Sequence, residues 1–308
     1  MDKRPEGMIN FLKPAGMTSM DAVSFLRRLT GVKRIGHTGT LDPMAAGVLP
    51  LCLGGAARLA EYLAEDDKAY CCEMALGLKT DTMDVWGAVL ERAPEGFERE
   101  LDEEALRRAI MSFVGRMSQK PPAYSAIKVS GRKLYEYARA GEAAPVPERE
   151  VHIKEITVKR INIAERWALM DVRCSKGTYI RSLCNDIGEA LGCGAAMSGL
   201  VRTVSGCFRI ESAHTAEELA AACAEGGRGL GGMLLPSDYP LRGMRAVTLE
   251  KTAARRFVNG APVASRGPAD LVRVYLGQAA GGEPPVFLGI GRAAEGILRA
   301  EKVLCPAL

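Results

Sequence analysis

Residues 36–59 read GHTGTLDPMAAGVLPLCLGGAARL. The stretch holds one of the chain's three histidines (His37), one acid (Asp42) and one base (Arg58). The rest is Gly, Thr, Pro and apolar residues. Gly36, Gly39 and Gly47 let the backbone turn tightly or approach a ligand closely. Pro43 pushes Asp42 out of the helical region and so restricts the geometry after the acid. Residues 48–53 read as a short buried strand and 56–63 as a helix. One carboxylate therefore stands on a constrained loop with an apolar strand and helix behind it, which is how a site acid is presented. A lone Asp-Pro is more commonly a structural turn. The surrounding segments decide between the two readings.

Towards the N-terminus, residues 7–12 read as a strand, followed by a Lys13-Pro14-Ala15-Gly16 turn. Thr18 or Ser19 can cap a helix over 20–29, with Gly31 just past its end. Arg27, Arg28, Lys33 and Arg34 form a basic cluster before the central loop. Beyond it, 67–78 reads as a strand buried on both faces and carrying Tyr70. Thr80, Asp81, Thr82, Met83 and Asp84 make a polar loop, and 85–91 a further strand. Residues 101–114 form an amphipathic helix with Asp102 in its first turn.

Residues 116–150 differ in character. Lys120, Lys128, Arg132, Lys133 and Arg139 interleave with Tyr124, Tyr135 and Tyr137. Cations for phosphates and rings for unpaired bases suit RNA, and an ordinary solvated loop and helix is the plain alternative. Strands over 151–163 and 167–174 lead through Ser175-Lys176-Gly177-Thr178-Tyr179 to a helix ending at Leu191, with Gly192 as its cap. Arg181 in that helix, taken alone, reads as a surface ion pair. Strands over 193–210 and a helix over 215–224 follow. After a Gly-rich 226–240, short strands and turns point to a small β-rich domain, with 277–285 as a flexible hairpin.

Composition excludes several classes. Of 308 residues, 47% are hydrophobic and 25% charged, as in an ordinary globular chain. A net charge of +4 fits an anionic partner only weakly. Nine cysteines without a C-x-x-C pair read as reduced core residues rather than a disulfide framework. Three scattered histidines give no metal-ligand spacing. The opening MDKRPEG lacks the apolar run of a signal peptide, and no stretch has the length of a membrane span. A soluble cytoplasmic protein is expected.

The segments NFLKPAGMTS, GHTGTLDPMAAGVLPLCLGGAARL, DKAYCCEMALG, TDTMDVWG, PPAYSAIKVSGRKLYEYARAGE and CSKGTYIRSLCNDIGEALGCGA resemble the bacterial tRNA pseudouridine-55 synthases, the TruB family. The resemblance runs in order over about residues 7–240. Residues 244–308 resemble the family's PUA-like RNA-binding domain more weakly, through VNGAPV, LVRV and FLGIG.

The resemblance implies an α/β (α+β) fold: a mixed, mostly antiparallel central sheet with a small C-terminal PUA-like β domain. It implies a catalytic domain over 1–243 with a thumb-like RNA-binding insert at about 119–150, and a C-terminal domain over 244–308. The implied reaction isomerises one flipped-out uridine in the T loop of tRNA without cofactor or metal. Asp42 is then the catalytic carboxylate, Tyr70 the ring that packs on the uracil, and Arg181 the arginine that pairs with the aspartate. His37 inserts where the base was. Lys13, Gly39, Thr40, Lys128, Arg132, Lys133 and Tyr179 are expected to bind RNA, although Lys13 reads equally as a plain turn lysine. Asp81 and Asp84 read either as orienting groups or as a solvated loop.

The chemistry of the residues agrees with these roles. A base inside a folded loop has to be flipped out, at a cost of a few kcal/mol. A buried carboxylate would have its pKa raised, and a guanidinium counters that. The C5 proton leaves to Tyr70 or Asp42. Asp42 attacks C1′, attacks C6, or takes the 2′ proton through a glycal, the last favoured on family chemistry. The expected partner is the tRNA T stem-loop, with no membrane, no obligate protein partner and a monomeric enzyme. The rival readings are an RNA chaperone using the same surface and a guide-RNA-dependent relative.

Overall fold

The computed structural model describes residues 5–63, 67–125, 127–224, 229–277 and 285–305. The first residues of the N-terminal MDKRPEG, part of the Gly-rich 226–240 and most of the expected 277–285 hairpin lie outside them. In chain order the elements begin with β1 (Gly7–Lys13), α1 (Ser19–Thr30), β2 (Ile35–His37), β3 (Ala46–Leu53) and α2 (Ala60–Leu63). Next come β4 (Lys68–Leu76), β5 (Leu78–Thr80), β6 (Val89–Arg92), α3 (Glu103–Met111), β7 (Gly115–Gln119), β8 (Lys128–Val129), β9 (Arg132–Lys133) and α4 (Leu134–Arg139). Then follow β10 (Arg149–Asn162), β11 (Trp167–Cys174), α5 (Ile180–Leu191), β12 (Ala195–Ser205), β13 (Phe208–Arg209) and α6 (Ala216–Ala224). The chain closes with β14 (Ala246–Leu249), α7 (Lys251–Val258), β15 (Val263–Ala264), β16 (Asp270–Leu276), β17 (Val286–Ala294) and β18 (Ile297–Val303). The fold is mixed α/β with mostly antiparallel sheets, as the sequence implied.

The chain gathers into two compact units. One contains 43–47 and 65–205. Its sheet runs β12-β4-β11-β10-β7, all antiparallel. The first two residues of β3 join β12 in parallel, Ala46 opposite Val201 and Gly47 opposite Arg202. Helices α3 and α5 cover one face through Leu106, Ile110, Ile180, Leu183 and Ile187, against Cys72, Met74, Met170 and Val172. Strand β4 is therefore not buried on both faces as its composition suggests. Cys72, Met74 and Leu76 point to this core while Glu73 is exposed, the alternation of a sheet with one covered face.

The other unit contains 1–42, 48–64 and 206–308. Here β2 pairs antiparallel with β3. The C-terminal sheet runs β14-β16-β17-β18-β15, with Phe257 of α7 in its core beside Val272, Val274, Leu288 and Leu298. A second core joins Met8, Val48, Cys52 and Leu59 to Phe208, Leu241, Ile290 and Leu304. Residues from both ends of the chain thus share one apolar interior.

Local signals mostly decide the ends of elements. Gly31 and Gly192 close their helices in the left-handed conformation, at φ 67° and 72°. The expected helix over 56–63 is instead a 3-10 turn at Gly54–Leu59 followed by a single α-turn. Its start at Gly54-Gly55, with Gly54 at φ +66°, is too tight for an α-helix. The expected strand over 85–91 begins only at Val89. Before it, Asp84 and Asp81 carboxylates accept from the amides of Trp86 and Ala88, so the chain turns instead of extending. Asp102 sits at the N-cap of α3, where it accepts from the Ala105 amide, not inside the first turn.

Candidate active site

In the unit that contains 1–42, α1 and β3 shape the loop that carries His37 and Asp42. Thr18 and Asp21 form the capping box of α1. Ser19, the other candidate cap, is thereby released for a different contact. Its hydroxyl accepts from the Leu41 amide at 2.9 Å and donates to the Leu41 carbonyl at 3.1 Å. Both bonds are buried, and they clamp the residue just before Asp42. At the other end, His37 stands opposite Leu51 in the β2–β3 pair, and the Thr38 amide donates to the Pro50 carbonyl. Asp42, His37 and Gly39 are half-buried and Thr40 is exposed.

Lys13 ends β1 with 0% exposure. Its ammonium donates to the carbonyls of Pro14 and Met17, at 2.9 and 2.6 Å. A fully desolvated lysine needs such partners. It is not an exposed turn lysine.

In the unit that contains 65–205, Tyr70 lies on β4 between Val172 of β11 and Arg202 of β12. Its ring packs on the core that Leu183 and Cys184 of α5 also line. Arg202, 1% exposed, is the largest fully buried side chain among the described residues. It hydrogen-bonds the Tyr70 side chain. Burial pulls its pKa below the usual arginine value, and Tyr70 partly opposes this. Gly47 lies against the same residue. A Cβ there would sit 2.2 Å from the Arg202 carbonyl oxygen and 2.6 Å from its nitrogen. Gly36 carries no such constraint, because a Cβ there meets nothing nearer than 3.9 Å.

Arg181 is 4% exposed, so the surface ion pair read from its helix alone is corrected: the guanidinium is interior. It donates to the Thr82 carbonyl at 2.9 Å and the Tyr124 carbonyl at 3.0 Å, and lies 3.7 Å from Asp84 Oδ2. Asp84 in turn accepts from the Thr82 hydroxyl at 2.7 Å and the Trp86 amide at 3.1 Å. Asp81 accepts from the Ala88 amide at 2.7 Å and the Tyr124 hydroxyl at 3.4 Å. The two aspartates are therefore held by hydrogen bonds to their own loop and to Tyr124 and are not a solvated loop. The N-cap position of α5, Tyr179, has no side-chain cap. Gln119 replaces it from 60 residues away, accepting from the Tyr179 amide and donating to its carbonyl.

In the 119–150 insert, Lys128 is exposed at the start of the β8–β9 hairpin. Arg132 lies 4.4 Å from the Tyr137 ring centroid and pairs with Glu142. Lys133 and Arg139 both lie 5.4 Å from the Tyr135 centroid. These cations and tyrosines thus face one another within the insert.

Sequence reasoning gave Arg202 and Gln119 no site role and read Ser19 only as a candidate helix cap. Arg202 left a faint signal, a charge two residues from Leu200 on a strand whose alternate positions face inward. Ser19 and Gln119 left none, because their partners are distant in sequence.

Three family models match the chain. They are the TruB family pseudouridylate synthase N-terminal domain over 27–180, the tRNA pseudouridylate synthase B C-terminal domain over 181–242, and the pseudouridine synthase II TruB C-terminal domain over 246–304. The chain is 42% identical over 295 residues to tRNA pseudouridine synthase B of Alkaliphilus oremlandii, covering 96% of this chain and 94% of the relative. It is 38% identical over 298 residues to the protein of the same name in Clostridioides difficile strain 630, covering 94% of each. Among solved structures it is similar to an H/ACA ribonucleoprotein bound to a substrate RNA containing 2′-deoxyuridine. That match has a TM-score of 0.70 and 26% identity, and covers 98% of this chain and 88% of the other.

Proposed function

The chain belongs to the TruB family of pseudouridine synthases, and from that membership we propose that it converts the uridine at position 55, in the T loop of tRNA, to pseudouridine. It is an isomerase of tRNA. The near-full-length identity to relatives named tRNA pseudouridine synthase B carries this reading. The same observation favours an enzyme that works alone over a guide-RNA-dependent one, since the ribonucleoprotein likeness is more distant.

In this reading Asp42 is the catalytic carboxylate. It takes the 2′ proton of the ribose as the C1′–N1 bond breaks, and returns it when C5 of the turned uracil bonds to C1′. The C5 proton then leaves to Tyr70 or Asp42, and N1 gains a proton. Tyr70 supplies the platform on which the flipped base turns. Arg181 supplies the positive charge that pairs with the aspartate. His37, with Lys13, Gly39, Thr40 and Tyr179, binds the RNA at the emptied loop. Lys128, Arg132 and Lys133 bring the insert to RNA phosphates. Residues 244–308 act as the PUA-like RNA-binding domain, beyond a catalytic domain over 1–243. The enzyme works as a cytoplasmic monomer without an obligate protein partner.

The test is an unmodified tRNA transcript incubated with the purified protein alone, with the modified nucleotide mapped. Pseudouridine at position 55 is expected. Modification elsewhere, or none without a guide RNA, overturns the reading. A tRNA-folding role beside catalysis is tested by whether an Asp42→Asn variant still rescues cells that lack the enzyme.

A further inference from the structure

The loop over 80–88 holds an indole in water. Trp86 is 46% exposed, with exposed Val89 and Leu90 following on β6. The chain has two tryptophans, and Trp167 is fully engaged. Its indole nitrogen donates to Glu165 at 2.8 Å, and Arg160 lies 5.4 Å from the ring centroid. Other rings are similarly occupied: Tyr135, Tyr137, Tyr239 and Phe97 each carry a cation of this chain. Among the described residues, no cation, ring or hydrogen-bond partner lies on the Trp86 ring.

The backbone beneath this ring is stiff. Its amide donates to Asp84, the Val85 amide donates to the Met197 carbonyl, and Gly87 is packed so closely that a Cβ would sit 2.1 Å from the Thr82 hydroxyl oxygen. A rigid aromatic face loses little entropy when something stacks on it. The same loop is joined to Arg181 through Asp84 and Thr82, and to the root of the basic insert through Tyr124. Exposed Lys120, Lys128 and Arg139 on that insert favour an anionic occupant over an apolar protein surface. A bare indole on a loop tied through Asp81 and Tyr124 to a cationic segment fits an unpaired base, whose π-face stacks whatever its sequence.

We propose that Trp86 is a stacking platform for an unpaired base of the substrate RNA other than the uridine that reacts. The inference rests on the RNA reading above. In a Trp167→Phe background Trp86 is the sole tryptophan, and its emission is followed during titration with an unmodified T-arm stem-loop RNA. Binding is measured in parallel on filters. The expected result is saturable quenching with the midpoint of the filter curve. Trp86→Ala should weaken binding about tenfold, and Trp86→Phe much less, because a ring remains. RNA binding with unchanged Trp86 emission, or with equal affinity in Trp86→Ala, overturns stacking and leaves the proposed function intact. A Trp86→Ala variant that changes oligomeric state and not RNA affinity identifies a protein interface and also overturns it. Absence of both RNA binding and pseudouridine formation overturns both readings.

Discussion

Arg202 stands directly opposite Tyr70 across β12 and β4, buried to 1% exposure, and hydrogen-bonds its side chain. The ring expected to carry the flipped uracil is thus held by a guanidinium that has left water. Arg202→Met should slow single-turnover isomerisation at least tenfold, since a charge-assisted hydrogen bond contributes about 1.5–3 kcal/mol. In a Tyr70→Phe background the same substitution should cost far less, and the four rates give the coupling. Additive losses would mean that the two residues act separately. Tyr70→Ala should lose far more rate than Tyr70→Phe if the ring is the main element; equal losses would favour the hydroxyl.

Asp42→Asn keeps the shape of the side chain and removes its charge. Turnover should vanish while affinity for T-arm RNA is retained. For both proteins log affinity should fall linearly with log salt, since phosphate contacts release counterions. Turnover by Asp42→Asn near the wild-type rate would refute its catalytic role, and a flat salt dependence would refute broad backbone binding.

Asp84 lies 3.7 Å from the Arg181 guanidinium and braces the loop over 80–88. Asp84→Asn can still accept from Thr82 and Trp86 but cannot balance the buried charge. A loss of about 1–3 kcal/mol in stability and a larger fall in turnover than in Asp81→Asn are expected. Thermal midpoints and rates of the two variants, measured side by side, check this.

Gly36 on β2 and Gly47 on β3 should respond differently to an added Cβ. A Cβ at Gly47 meets the Arg202 backbone at 2.2 Å, and φ there is +111°. Gly47→Ala should cost about 2 kcal/mol or more. At Gly36 the nearest atom is 3.9 Å away, so Gly36→Ala should stay within about 0.5 kcal/mol of wild type. Denaturant midpoints decide the comparison.

The Tyr275 hydroxyl donates to Asp238 beside Arg273. Burial first, then Asp238, pushes its pKa from 10.0 up to about 12. The folded state holds this proton more tightly than the unfolded chain. Its contribution to stability is therefore complete below pH about 10 and lost as pH rises towards 12. Tyr275→Phe should flatten this part of the stability–pH curve.

The residue pattern by itself determined much of this protein. Period-two and helical spacing, Gly31 and Gly192 as caps, and the constrained loop with Asp42 were legible because they depend on neighbours a few positions apart. The family motifs named the remaining site candidates, Tyr70 and Arg181. Other features depend on residues far apart in the chain, and only the tertiary structure decided them. Ser19 is free to clamp Leu41 because Thr18 wins the cap. Gln119 caps α5 across 60 residues. Arg202, which composition would place at the surface, is interior because its strand position faces a covered side of the sheet. A buried charge or a hydrogen bond between distant segments leaves no local periodicity, so the packed fold alone reveals it.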